Sequence, residues 1–159
     1  MINLYIFNET RRAAIYGVGT YIHELIAALK GSEINVCVVH LRSEKPNNEQ
    51  AESDGVRYIH IPPQISYNSP LDWSQQNDLH YRHVVSFLRW KIKDSEKLIF
   101  LLNYTNSGTL AEELKKTFEC KIVTVVHFLQ WCLDLNGNIT LLRNILAARK
   151  TNLNEVLIK

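Results

Sequence analysis

Five short apolar runs, separated by polar and amphipathic segments, dominate the pattern of this 159-residue chain. Runs of this length predict buried β-strands, and they fall at residues 2–7, 34–41, 56–61, 97–103 and 120–127. Between them, apolar residues recur with helical spacing, which predicts helices over residues 20–30, 81–92 and 109–118. The first of these helices ends at Lys30-Gly31, and Thr109 with Glu112 forms a capping-box pattern at the start of the third.

Strands that alternate with helices predict an α/β fold. We expect a Rossmann-like three-layer sandwich with a mostly parallel sheet of order 3-2-1-4-5, in which a ligand lies beyond the carboxyl ends of strands one and four. Residues 42–55 are polar and predict a surface segment without fixed structure, and residues 64–78 predict a surface excursion near the site. Two more helical patterns, at 139–149 and from 153 onward, complete a single expected domain over residues 1–159.

A glycine-rich loop follows the first strand and leads into the first helix. Gly17 and Gly19 lack a Cβ, so the backbone there can adopt positive φ and bring its N–H groups close to a ligand. Thr20 can cap the helix that follows. A helix start with exposed donors suits a phosphate, a diphosphate or a carboxylate. A tight turn that only lets the helix pack on the strand remains the alternative.

Two more polar features end strands of the predicted sheet. Asn103 and Tyr104 follow the fourth strand, and His127 closes the fifth. Because parallel strands end at one edge, we expect these residues to lie near the glycine loop. A histidine in this position can also be a structural residue whose ring is bound by a neighbouring backbone group.

The sequence also excludes several common types of ligand site. A dinucleotide fingerprint needs a third glycine where Ile22 stands, and an acid at the end of the second strand, where the chain has Arg42. A Walker loop is excluded because no Gly-Lys-Ser/Thr follows the glycines. His80 and His83 are three residues apart, but no Cys or carboxylate accompanies them, so we interpret them as surface histidines and predict no metal site.

Composition narrows the partners and the compartment. The chain is 46% hydrophobic with a net charge of +2, and its mixed charges form no basic stripe, which argues against nucleic acid as a partner. Cys37, Cys120 and Cys132 are odd in number and lack metal-like spacing, so we expect reduced packing residues. The amino terminus has no signal-peptide pattern. Together these features predict a cytoplasmic protein.

The motifs together resemble a known family. Tyr16-Gly17-Val18-Gly19-Thr20-Tyr21-Ile22-His23-Glu24-Leu25 after the first strand resembles the opening of the GT-B glycosyltransferases of family 4, and Val123-Thr124-Val125-Val126-His127 is similar to the fifth-strand motif of that family. The likeness covers the amino-terminal half of such an enzyme. Tyr16 stands where members have the first glycine of a pair, and Phe128 where many carry an acid.

This resemblance implies a retaining transferase that moves a sugar from a nucleotide-sugar donor to an acceptor, without metal or other cofactor. His127 would be the catalytic residue; Gly17, Gly19 and Thr20 would bind the donor diphosphate, and Asn103 and Tyr104 would lie on the acceptor side. A second, carboxyl-terminal domain would bind the nucleotide. Nothing in the chain matches that domain, so we expect the chain to be inactive alone and to have that domain as a partner.

Two other classes of function remain open. A different Rossmann-like nucleotide-binding enzyme domain would bind its ligand through this chain alone. A non-catalytic interaction module would use the aromatic segment 128–131, Phe128 to Trp131, as its contact surface. Peripheral membrane contact through that segment is disfavoured, because no basic amphipathic helix accompanies it.

Overall fold

The fold is taken from a computed structural model, which describes residues 1–9, 17–63, 69–93, 97–103, 107–127, 138–141 and 143–147. The chain forms two compact units, Met1–His127 and Phe128–Lys159. In the second unit, residues 139–141 and 143–147 are helical, as predicted, and the pattern from 153 onward lies outside the described residues. The prediction of one domain over residues 1–159 stays a prediction.

The first unit alternates strands and helices. Its elements are β1 (Ile2–Glu9), α1 (Val18–Leu29), β2 (Ile34–Leu41), β3 (Glu49–Ser53), β4 (Val56–Ile61), α2 (Trp73–Lys91), β5 (Leu98–Leu102), α3 (Gly108–Thr117) and β6 (Cys120–Thr124). The six strands form one sheet of order β3-β4-β2-β1-β5-β6, in which only β3 is antiparallel to its neighbour. The five predicted strands therefore occur in the predicted order, which confirms the Rossmann-like α/β fold.

Helices cover both faces of the sheet. On one face, Val18 and Ile22 of α1 pack on the even-numbered apolar residues of β1 and β2. On the other face, α2 and α3 pack on the odd-numbered ones, around Phe100, whose ring lies 5.4–5.8 Å from those of Tyr5, Phe7 and Phe118. Burial on both faces explains why β1, β2 and β5 are continuous apolar runs in the sequence.

The polar segment 42–55 is not without structure, contrary to the prediction. Residues Glu49–Ser53 form β3, which pairs with β4 through a two-residue turn at Asp54 and Gly55. Both turn residues have positive φ, 52° and 75°, as a type I′ hairpin turn requires. All five residues of β3 are exposed, so no hydrophobic pattern marks the strand.

Helix α2 begins earlier than its apolar stripe predicts. It starts at Trp73, inside the segment 64–78 predicted as a surface excursion, and residues 64–68 of that segment lie outside the described residues. The side chain of Asp72 accepts from the backbone of Gln75, and the Gln75 side chain accepts from the backbone of Asp72. This capping box satisfies two backbone donors of the first turn and fixes the start.

Two other predicted helix starts are also wrong in detail. Gly17, not Thr20, occupies the N-cap position of α1, and Thr20 is the third helical residue. Ser107, not Thr109, is the N-cap residue of α3. The fifth predicted strand is shorter than expected, since β6 ends at Thr124 and His127 lies three residues beyond it.

Candidate functional site at the carboxyl edge of the sheet

The glycine loop places the start of α1 at the carboxyl edge of the sheet. Gly17 has φ of 67°, and a Cβ built on it would meet nothing within 4 Å, so glycine is required there by conformation and not by space. Gly19 lies within the first turn of the helix. Gly17 has no side chain to accept hydrogen bonds from that turn, so an anion could take the place of a cap.

Asn103 connects the ends of three strands. It is 1% exposed and follows β5 directly; its Nδ2 donates to the carbonyl of Phe7 on β1 at 2.9 Å. Its Oδ1 lies 3.2 Å from Nε2 of His127, beyond the end of β6. Because the carbonyl of Phe7 fixes the amide orientation, the histidine must donate from Nε2. A neutral His127 therefore keeps Nδ1 as a hydrogen-bond acceptor.

The ring of His127 also contacts α1. It packs edge to face on Tyr21, with ring centroids 5.0 Å apart. The structure thus brings together three of the predicted features: the start of α1, Asn103 and His127. The predicted site residue Tyr104 and the aromatic segment 128–131 lie outside the described residues. The catalytic and binding roles of all these residues stay predictions.

A polar row continues from this group across the sheet. Asn8 on β1 faces the same side as α1 and lies opposite His40 on β2, which lies opposite His60 on β4. Asn8 follows Phe7 and Asn103 follows Leu102. Because Phe7 and Leu102 are paired in register, the two asparagines stand at the same level beyond that pair. Five strands therefore carry a polar side chain near or just beyond the same edge: His60, His40 and Asn8 come one residue before the end of their strands, and Asn103 and His127 follow β5 and β6. Sequence reasoning missed His40, His60 and Asn8, although each is the lone polar residue near the end of an apolar run.

An ion pair occupies the other face of the same edge. Arg42, just after β2, bonds Glu9 at the end of β1 and Asn77 of α2. Its guanidinium also lies over the rings of Trp73 and Tyr81, 5.9 and 5.7 Å from their centroids. The planar guanidinium suits this combination of a carboxylate, an amide and two aromatic faces. Arg42 thereby fixes α2 to the carboxyl ends of β1 and β2.

His80, predicted as a surface histidine, is completely buried beneath this ion pair. Its burial, followed by the charges of Arg42 and His83, lowers its pKa to about 4. A ring that stays neutral at physiological pH is the expected consequence of removing imidazolium from water. The prediction that no metal site exists is untested for the whole chain; among the described residues, no group of three or more His, Cys, Asp and Glu could hold an ion.

Two cavities within the described part of this unit lie at the opposite edge of the sheet, near the amino ends of the parallel strands. One of about 540 Å³ lies between the last turns of α1 and the start of β2, and one of about 510 Å³ is lined by Arg57, Lys91 and Lys93. The candidate site lies instead at the carboxyl edge of the sheet. No helix within the described residues is long and apolar enough to cross a membrane.

Comparisons with known proteins add little. No family model and no curated protein matches the chain. Among solved structures, the chain is similar to an α,α-trehalose-phosphate synthase (UDP-forming) from Burkholderia vietnamiensis, with 11% identity and a TM-score of 0.44 over 78% of this chain and 32% of that one. The chain thus spans about a third of the length of that protein. A likeness at this level assigns no activity to the chain.

Proposed function

We propose that the chain is the acceptor-side half of a retaining, metal-independent glycosyltransferase that uses a nucleotide-sugar donor. The observation that carries the proposal is the convergence of the start of α1 with His127 and Asn103, at the edge where ligands of such sheets bind. The order of the two sequence motifs, the glycine loop and the segment from Val123 to His127, supports the same assignment.

In the proposed reaction, an acceptor oxygen bonds to the anomeric carbon while the bond from that carbon to the diphosphate oxygen breaks. The nucleoside diphosphate leaves with the electron pair, and the acceptor proton passes to the leaving oxygen. Backbone N–H groups at the start of α1, with Thr20, stabilise the charge on the diphosphate. His127, held through Nε2 by Asn103, presents Nδ1 as a fixed acceptor for a hydroxyl of the bound sugar or acceptor.

The proposed transferase needs a second domain for the nucleotide. The proposed compartment is the cytoplasm; the odd number of cysteines and their lack of metal-like spacing support this. Asn103 and Tyr104 are proposed to lie on the acceptor side.

The test is turnover by a two-domain protein that carries this chain at its amino terminus. We expect it to release nucleoside diphosphate from one member of a panel of nucleotide sugars, to keep the anomeric configuration, and to be insensitive to EDTA. The chain alone should release none. Turnover by the chain alone, or tight nucleotide binding to it, would instead identify a self-sufficient nucleotide-binding enzyme. No release from any donor by the two-domain protein would refute the proposal.

A further inference from the structure

A pair of stacked histidines occupies the carboxyl edge on the same face as α1. His40 of β2 and His60 of β4 are directly paired in register. Their ring centroids are 4.7 Å apart and the ring planes differ by 14°. Tyr58 is also parallel to the His40 ring, at 5.9 Å. We refer to His40 and His60 as the histidine pair.

Each ring of the pair is oriented through its Nδ1 atom. The Nδ2 atom of Asn8 lies 3.4 Å from Nδ1 of His40, and Oγ of Ser43 lies 3.3 Å from Nδ1 of His60. Ser43 is itself fixed, because its backbone N–H donates to Ile61 and its Oγ accepts from the N–H of Lys45. The rings are therefore held in place by groups that are buried or bonded to the backbone.

The other ring nitrogen of each histidine, Nε2, can bind another partner. An amide nitrogen can only donate, so Nδ1 of His40 is the acceptor and its Nε2 carries the proton. Within the part of the chain that the structure describes, Nε2 of neither histidine makes a hydrogen bond, and neither atom is among the buried polar atoms that lack one. The pair thus offers two adjacent hydrogen-bonding nitrogens to a molecule at the edge of the sheet.

The surroundings of both rings disfavour the charged form. Burial, followed by the proximity of His60, lowers the pKa of His40 to about 4. Burial and then Lys45 lower the pKa of His60, against an opposing effect of Glu49. Neutral imidazoles next to an aromatic ring match the hydroxyl groups and C–H faces of a neutral ligand better than a phosphate or a carboxylate, which cations bind best.

The position of the pair indicates the size of that ligand. The strands from β2 to β6 are three spacings apart, which is about 14 Å at the usual strand separation. Asn8 and Asn103 lie between the pair and His127 along this edge. A single sugar ring cannot span this distance.

We propose that the histidine pair is the distal acceptor subsite, which binds hydroxyl groups of an elongated, uncharged saccharide whose near end reaches His127. This inference rests on the proposed function. It assigns to His40 and His60 a role in acceptor binding and to the acceptor a chemical class, an oligosaccharide.

The chain itself serves for the test. Histidine ring signals are followed by NMR during titration with a panel of neutral trisaccharides that differ in hexose and linkage. We expect one member of the panel to shift the His40 and His60 signals, to leave exposed His23 unchanged, and to bind better than its monosaccharide. His60→Ala should weaken binding at least about tenfold, while His23→Ala should not.

Three outcomes would overturn the inference: no shift with any trisaccharide, equal shifts at His23, or shifts caused only by Zn²⁺ or inorganic phosphate. In the two-domain protein, His60→Ala should raise KM for the acceptor and leave KM for the donor unchanged. If nucleotide sugars turn over and His60→Ala leaves the acceptor KM unchanged, the proposed function stands and the subsite fails. If trisaccharide binds but no donor turns over, the histidine pair is a saccharide site and the proposed function fails.

Discussion

His127 donates from Nε2 to Oδ1 of Asn103 at 3.2 Å, and Asn103 cannot turn away because its Nδ2 is bound to the carbonyl of Phe7. The pair therefore separates two roles within one imidazole. Nε2 holds the ring in place, and Nδ1 is the atom that can meet a ligand.

Replacing His127 by glutamine separates these roles. The terminal amide of glutamine can reach Asn103 as Nε2 does, but it has no equivalent of Nδ1. In the two-domain protein, His127→Gln and His127→Ala should each lower kcat by about 10²–10⁴-fold, as for a lost catalytic polar group. The thermal midpoint of the chain should change little. Retained activity would make His127 a structural residue.

Asn103→Ala is the contrasting variant. Asn103 is buried, and its removal leaves the carbonyl of Phe7 without this donor, which should cost about 1–3 kcal/mol of stability. Denaturant unfolding of the chain measures this loss. If the denaturation midpoint of Asn103→Ala is as high as that of His127→Gln, the hydrogen bond to Phe7 contributes nothing to stability.

The two glycines of the loop should respond differently to alanine. Gly17 has φ of 67°, so Gly17→Ala should cost about 1 kcal/mol or more through backbone strain. Gly17→Asn, which tolerates this region, should cost less. Gly19 is helical, so Gly19→Ala should leave stability equal or slightly higher.

Donor affinity provides the second measurement on the loop. In the two-domain protein, the Cβ added at Gly19 should weaken binding of the nucleotide sugar by steric exclusion. Unchanged donor affinity in Gly19→Ala would reject the diphosphate role of the loop, whatever happens to folding.

The apolar pattern predicted the central strands because β1, β2 and β5 are buried on both faces, and such strands are marked by continuous apolar runs. It missed β3, since a fully exposed edge strand has no such pattern; only the Asp54-Gly55 dipeptide indicated the hairpin. It also misplaced His80, which lies four residues before Val84 and thus on the buried stripe of α2. His80 was predicted to be a surface residue, because only the packing of the folded chain shows that its neutral ring is buried.

The candidate site was predictable in part. Parallel strands must end at one edge, so Gly17, Asn103 and His127 could be placed together from the order of the strands. The contribution of His40 and His60 could not, because it depends on the register between β2 and β4. A shift of one residue would place the two rings on opposite faces.

Stability should fall in acid through His80. Its pKa is about 4 in the folded chain against about 6.5 in the unfolded one. Between these values the unfolded chain binds a proton that the folded chain does not, so stability is complete above pH 6.5 and is lost as the pH falls toward 4. The contribution is up to about 1.4 kcal/mol per pH unit. His40 acts in the same direction.

Unfolding of His80→Gln between pH 4 and pH 7 measures this effect. Its stability should depend less steeply on pH than that of the parent chain, by about one proton. His23→Gln, at an exposed position of α1, is the matched control. An unchanged slope in His80→Gln would mean that His80 is protonated in the folded state as readily as in the unfolded one.

The Arg42–Glu9 pair should be one of the strongest single contributions to the docking of α2. Both side chains are 12% exposed, so removing one partner leaves the other poorly solvated. Arg42→Met keeps an apolar stem but removes the guanidinium from Glu9 and Asn77, and it should lower the free energy of unfolding by about 1.5–3 kcal/mol, as for a lost hydrogen bond to a charged group. Arg42→Lys should recover part of this, because one ammonium cannot bind Glu9 and Asn77 and also stack on Trp73. Arg42 has φ of 53°, but Arg, Met and Lys share that backbone cost, so it cancels in the comparison.

A double variant tests whether Arg42 and Glu9 interact. Arg42→Met combined with Glu9→Gln should lose less free energy of unfolding than the two single variants lose together, by about 0.5–3 kcal/mol. Additive losses would show that the two charges do not interact.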